Sequence, residues 1–198
     1  MNSIWSVKET ENDGGVQFKK PSTVSEQVDF TLMMMNMSGT SAVEQFQAMG
    51  DGNSLTETQP LLPTRQNVEE ISAYMEEQIN EAFRRAGIST DEAVTFTVGS
   101  DGSLNIAGDR EDIGEIQELF ENNPELSEDM TNFIGLASQM PKFERAIEFQ
   151  IKYENADSKR EIDALLKEYA DLFDGEEHYE STFAFDSGGI DIDTTFTA

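Results

Sequence analysis

The chain has 198 residues, with forty acidic side chains against thirteen basic ones, a formal net charge of −27, one histidine and no cysteine. That balance repels phosphate backbones and anionic lipid headgroups, and it attracts cations and basic protein surfaces. The lack of cysteine excludes a disulfide framework, a thiol nucleophile and a thiolate metal site.

The length suits one domain with tails, or two very small domains. Apolar residues make up 37% of the chain, below the roughly 45–50% usual in globular domains. The shortfall is uneven, so one folded block with flanking tails is expected. Thirteen Phe, four Tyr and one Trp are too many aromatics for a wholly disordered polymer.

Residues 1–65 read as a flexible arm, punctuated by Gly14-Gly15, Pro21, Gly39, Gly50, Gly52, Pro60 and Pro63 and without a helical period. Met1 to Gly15 has no apolar h-region, so no cleaved leader is expected. The run Leu32-Met33-Met34-Met35 is far too short to span a bilayer. A soluble, cytoplasmic protein is the expectation. Within the arm, residues 28–37 form an apolar, Met-rich island in which Phe30, Leu32 and Met34 alternate as a strand would. Its methionines offer an adaptable contact surface.

From Asn67 the pattern changes. Val68, Ile71, Met75, Ile79, Ala82, Phe83 and Ala86 recur at helical spacing, with Glu69, Glu70, Glu76, Glu77 and Glu81 opposite. Asn67 and Glu70 resemble a capping box, and Gly87 suits the position after the helix end. A hairpin follows. A three-residue loop from Ser100 to Gly102 pairs Val98 with Leu104 and Phe96 with Ile106, whereas a two-residue loop would split the apolar face.

Four helical segments come next. Asp109 is the expected cap of one bearing Ile113, Ile116, Leu119 and Phe120. Asn123-Pro124 opens a second, with proline in the first turn, lined by Leu126, Met130, Phe133, Ile134, Ala137 and Met140. Pro141 is expected to start a third, with Phe143, Ala146, Ile147, Ile151 and Tyr153 inward. Ser158 and Glu161 form a capping box for the last, which is expected to bury Ile162, Leu165, Leu166, Tyr169, Leu172 and Phe173. A closing hairpin sets Phe183 and Phe185 against Ile192 and Ile190 across a four-residue loop, Asp186 to Gly189. Residues 66–198 are therefore expected to form a single α+β domain of order αββααααββ, with both hairpins packed on the helices.

The acids concentrate between Glu111 and Asp129, where eight fall in nineteen residues, and no Lys or Arg appears between Arg110 and Lys142. Such a face reads either as a solvated surface or as a docking site steered by a basic partner. The candidate contacts are Glu111, Asp112, Glu115, Glu118, Glu121 and Glu125, with Phe30, Leu32 and Met34 of the arm adding apolar specificity. A non-enzymatic adaptor, chaperone or assembly protein is the leading expectation, and homo-oligomers are compatible with it.

Two other classes compete. A calcium-stabilised protein exported without a cleaved leader would use Asp101, Asp186, Asp191 or Asp193 as oxygen ligands. The run from Asp109 to Gly114 resembles the start of an EF-hand loop, but its twelfth position is Phe120, where a bidentate glutamate is required. A carboxylate-based hydrolase would need acids shifted by burial, and the acids here fall on polar helix faces. His178 stands alone in a polar stretch, without a nucleophile elbow to join. Phosphate-cradling motifs and basic aromatic patches are both missing, so neither a nucleotide cofactor nor a nucleic-acid partner is expected.

Overall fold

The computed structural model describes residues 6–8, 17–19, 23–35, 41–50, 61–174 and 178–197. It is a mixed helix-and-sheet protein, with seven helices and a four-stranded antiparallel sheet among the described residues. The chain divides into two units, one made of residues 40–140 and 178–198, the other of residues 1–39 and 141–177.

The first of these holds the main core. Helix α3, Arg65–Ala86, buries Val68, Ile71, Met75, Ile79 and Phe83 along one stripe, as the 3.6-residue period dictates. Its N-cap is Thr64 rather than Asn67: the Thr64 hydroxyl accepts the Asn67 N–H at 3.3 Å, while the Asn67 side chain donates to the Leu62 carbonyl. Gly87 closes the helix at φ 75°, a left-handed conformation that side-chain-bearing residues resist. Strands β3, Val94–Val98, and β4, Leu104–Ala107, pair Val98 with Leu104 and Phe96 with Ile106, the expected register. Gly102 turns the loop at φ 82°, with its N–H donating to the Gly99 carbonyl.

Strands β5, His178–Asp186, and β6, Gly189–Thr197, form the second hairpin, with Phe183 opposite Ile192 and Phe185 opposite Ile190 as expected. Its loop is tighter than the sequence suggests, because Asp186 and Gly189 themselves pair and leave only Ser187 and Gly188 between them. The Asp186 carboxylate accepts the Gly188 N–H at 2.6 Å, which stabilises the short turn. The two hairpins join through β3 and β5 into one sheet of order β4-β3-β5-β6. Alternation places Val94, Phe96, Phe183 and Phe185 on the buried face. Three helices meet that face through aromatic pairs. Phe83 of α3 contacts Phe185, and Phe120 of α4, Ile113–Glu121, contacts Phe96. Phe133 of α5, Pro124–Glu154, contacts Phe183.

Helix boundaries depart from expectation at three further places. Helix α4 begins at Ile113 with Asp112 as its N-cap, not Asp109, and the Asp112 carboxylate makes no capping bond because Arg110 occupies it. The two helices expected on either side of Pro141 are one, α5, with Pro141 inside it. Residue 141 has no N–H for the Ala137 carbonyl, and the division between the units falls at this proline. The last expected helix is two, α6, Lys159–Glu168, and α7, Asp171–Asp174.

The chain before residue 66 is also more regular than expected where it is described. Residues 24–35 form helix α1, Val24–Met35, so the Met-rich island is helical rather than a strand up to Met35, and residues 36 and 37 lie outside the described residues. Thr23 and Glu26 exchange backbone-to-side-chain hydrogen bonds at its start, a capping box that favours the helix over the strand. Ser41 and Glu44 do the same for helix α2, Ala42–Gly50. Ala42 and Phe46 lie in the core, and Phe46 meets Tyr74 edge-to-face at 6.4 Å between ring centroids. Short strands β1, Ser6–Lys8, and β2, Gln17–Lys19, pair antiparallel in the other unit.

In that unit the C-terminal part of α5 buries Ile147 and Ile151, and Tyr169 is also buried. Ala146 and Tyr153, expected inward, are exposed. Helix α6 buries none of its residues. Leu166 and Phe173, expected inside, are 44% and 59% exposed.

Candidate functional site

The acidic surface is built on α4 and the start of α5. Ile116 and Phe120 anchor α4 in the core. They turn Glu115, Glu118 and Glu121, at spacings of three along the helix, to solvent. The junction to α5 is held by local bonds. Asn122 donates to the Glu118 carbonyl at 2.8 Å, Ser127 donates to the Phe120 carbonyl at 2.7 Å, and the Asn123 side chain accepts the Leu126 N–H. Buried Leu126 and Met130 then set Glu125 and Glu128 outward.

Beside this surface runs a groove of about 570 Å³, lined among others by Tyr74, Glu81, Arg85, Leu119, Leu126 and Asp129. Neither nearby arginine neutralises α4. Arg84 pairs with Glu81, and Arg85 reaches the other oxygen of the same carboxylate at 2.7 Å. The Arg84 hydrogen bond holds the Glu81 carboxyl below its usual value. Arg110 is withdrawn altogether, its side chain 2% exposed. It donates to the Glu92 and Ser89 carbonyls at 2.6 and 2.7 Å and forks onto Asp112 at 2.6 and 2.8 Å. Among the described residues, Glu111, Glu115, Glu118, Glu121 and Glu125 have no ion-pair partner.

Of the acids expected at a docking face, Glu115, Glu118, Glu121 and Glu125 share this exposed α4–α5 surface, and exposed Glu111 precedes α4. Asp112 is different, since its carboxylate serves Arg110. Phe30, Leu32 and Met34 belong to the other unit. On a helix they cannot form the single alternating face a strand would give, because residues two apart are about 200° apart. Leu32 is half-buried, while the side chains of Phe30 and Met34 lie outside the described residues. Sequence reasoning missed the α3 side of the groove. Tyr74, Gln78, Glu81, Ala82 and Arg85 recur at three- and four-residue intervals, a second stripe that could have been read beside the buried one.

The calcium reading finds no shared site. Asp101 accepts the Ser103 N–H and hydroxyl, Asp186 closes its own turn, and Asp191 and Asp193 are exposed on β6. Among the described residues, no group of three or more His, Cys, Asp or Glu side chains is placed to hold a metal ion. Nor is any described helix long and apolar enough to cross a membrane. His178 starts β5, and its side chain lies outside the described residues.

The second unit has its own polar centre. Lys152 donates to the buried Tyr169 hydroxyl at 2.7 Å and pairs with Glu148 and Glu168 at 2.9 and 3.0 Å. The Tyr169 and Glu148 bonds push the Lys152 ammonium up, and burial pushes the Tyr169 hydroxyl up. Both shifts run opposite to those that make a lysine nucleophile or a tyrosine base near neutral pH. Arg145 forks onto Asp171 at 2.5 and 2.8 Å and lies over the Tyr169 ring. The chain matches no protein-family model, no curated protein and no solved structure.

Proposed function

We propose that the protein is a non-enzymatic docking protein, an adaptor, chaperone or assembly factor, whose α4–α5 surface receives a basic protein surface. The observation that supports this reading is the uncompensated charge. Glu115, Glu118, Glu121 and Glu125 are exposed without ion-pair partners among the described residues, while the nearby arginines are tied to Glu81 and Asp112. A rigid row of like charges attracts a basic surface over a distance set by screening, about 8 Å at physiological salt. The adjacent groove, lined by both polar and apolar side chains, adds a concave shape for short-range fit. In this reading the protein works in the cytoplasm, without a nucleic-acid or membrane partner.

The test is affinity capture from source-cell lysate with wild-type bait and with a Glu118→Lys, Glu121→Lys, Glu125→Lys bait, both eluted along a salt gradient. A stoichiometric basic protein is expected on the wild type, released at moderate salt, and lost from the reversed bait. Equal capture by both baits would remove the α4–α5 face from the reading.

A further inference from the structure

The negative charge is unequally shared. Residues 40–140 and 178–198 carry twenty-four acids and four bases, a net of −20, whereas residues 1–39 and 141–177 carry sixteen acids and nine bases, a net of −7. Three of those nine bases, Lys159, Arg160 and Lys167, lie on α6, where with Asp163 and Ala164 they line a depression of about 610 Å³. All three are exposed, and none has an ion pair among the described residues.

The same unit exposes aromatic surface. Phe149 contacts Tyr153 and Phe173 at 5.7 and 5.4 Å between ring centroids, yet Tyr153 is 46% and Phe173 59% exposed. Exposed aromatics are enriched at the cores of protein interfaces and supply many of their binding anchors.

We infer that the cationic face of α6 docks onto the acidic α4–α5 surface of a second copy of this chain, with Tyr153 and Phe173 as apolar anchors. Charge complementarity selects that occupant: the chain carries both halves of the pair, three cations without ion-pair partners on α6 and four such carboxylates on α4–α5. Because one patch meets a different patch, the pairing closes reciprocally as a two-fold dimer or propagates head-to-tail into rings or filaments. Overall repulsion between two chains of −27 opposes the contact at very low salt. At physiological ionic strength screening removes most of that long-range term and leaves pairs in contact less affected. The inference rests on the reading of the α4–α5 face as a docking surface and names its partner.

Sedimentation velocity on the full chain at physiological salt, over a concentration series, tests it with two variants. One carries Lys159→Glu, Arg160→Glu and Lys167→Glu, the other Glu118→Lys, Glu121→Lys and Glu125→Lys; all six positions are exposed, and circular dichroism checks that each variant is folded. Wild type is expected to self-associate, each variant alone to weaken by about tenfold or more, and an equimolar mixture of the two to recover association. Phe173→Ser supplies a charge-neutral check and is expected to weaken association without altering its salt dependence. A wild type that stays monomeric overturns the inference, and so does a mixture that fails to recover. A monomeric wild type that still captures a basic protein through α4–α5 would overturn the self-association alone and leave the docking function standing.

Discussion

Arg110 is the residue on which the region between α3 and α4 depends. Its guanidinium ties residues 89 and 92 to Asp112 and lies 5.9 Å from the Phe83 ring centroid. Truncation leaves two carbonyls and a carboxylate without their donor and empties the space that a side chain only 2% exposed had filled. Arg110→Ala is therefore expected to cost about 3 kcal/mol, and Arg110→Lys about half as much, because an ammonium cannot reproduce the planar fork. Urea unfolding measures both, and a loss under 1 kcal/mol for the alanine variant would contradict this account. In the other unit the Arg145 hydrogen bond holds the Asp171 carboxyl below its ordinary value of 3.8. A depressed folded pKa means the pair's stabilisation is present above that ordinary value and is lost as pH falls through it toward the folded value. Melting temperature followed from pH 6 to pH 2 should fall less steeply on the acid side in Asp171→Asn than in wild type. Parallel curves would show that the pair contributes nothing measurable.

At the scale of elements, two short helices, α1 and α2, form before residue 66. The signals were present in the sequence: Thr23 with Glu26 and Ser41 with Glu44 have capping-box spacing, and Ala42 and Phe46 are four apart. Scattered glycines and prolines, and the alternation of Phe30, Leu32 and Met34, pointed the other way. Tertiary packing decided for helix α2, since a nine-residue helix is marginal alone and gains its stability by burying Phe46. Phe46→Ala should cost about 3–4 kcal/mol by chemical denaturation, whereas a residue in an irregular arm would cost almost nothing. The start of α3 makes a sharper comparison. Thr64→Ala is expected to cost about 1 kcal/mol through its lost cap, and Glu70→Ala, at the position a capping box from Asn67 would use, should fall within about 0.5 kcal/mol of wild type.

Across the whole molecule, like-charge repulsion adds to the chain entropy that opposes folding, with forty acids against thirteen bases. Sodium chloride screens it, so the melting temperature should rise between about 0.01 M and 0.5 M salt, the span over which the screening length shrinks from roughly 30 Å to a few ångströms. Calorimetry at fixed pH measures this directly. A fall with salt would mean that the few ion pairs outweigh the repulsion, the reverse of what their number and exposure suggest.

By itself the sequence determined the elements that repeat a strong local pattern. The stripe of α3, the Gly102 turn and both hairpin registers follow from periods of 3.6 and 2, and a one-residue slip would expose a whole apolar face. It also determined that the acids of α4 and α5 face water, since Ile116, Phe120, Leu126 and Met130 must face the core. Tertiary structure alone decided the rest. The joining of two distant hairpins through β3 and β5 is a long-range pairing with no local signature. The use of Asp112 for Arg110 rather than for α4 depends on carbonyls some twenty residues away in the chain. The exposure of Leu166 and Phe173 could not be read from a stripe at perfect helical spacing, because periodicity says which residues share a face and only packing says what covers it.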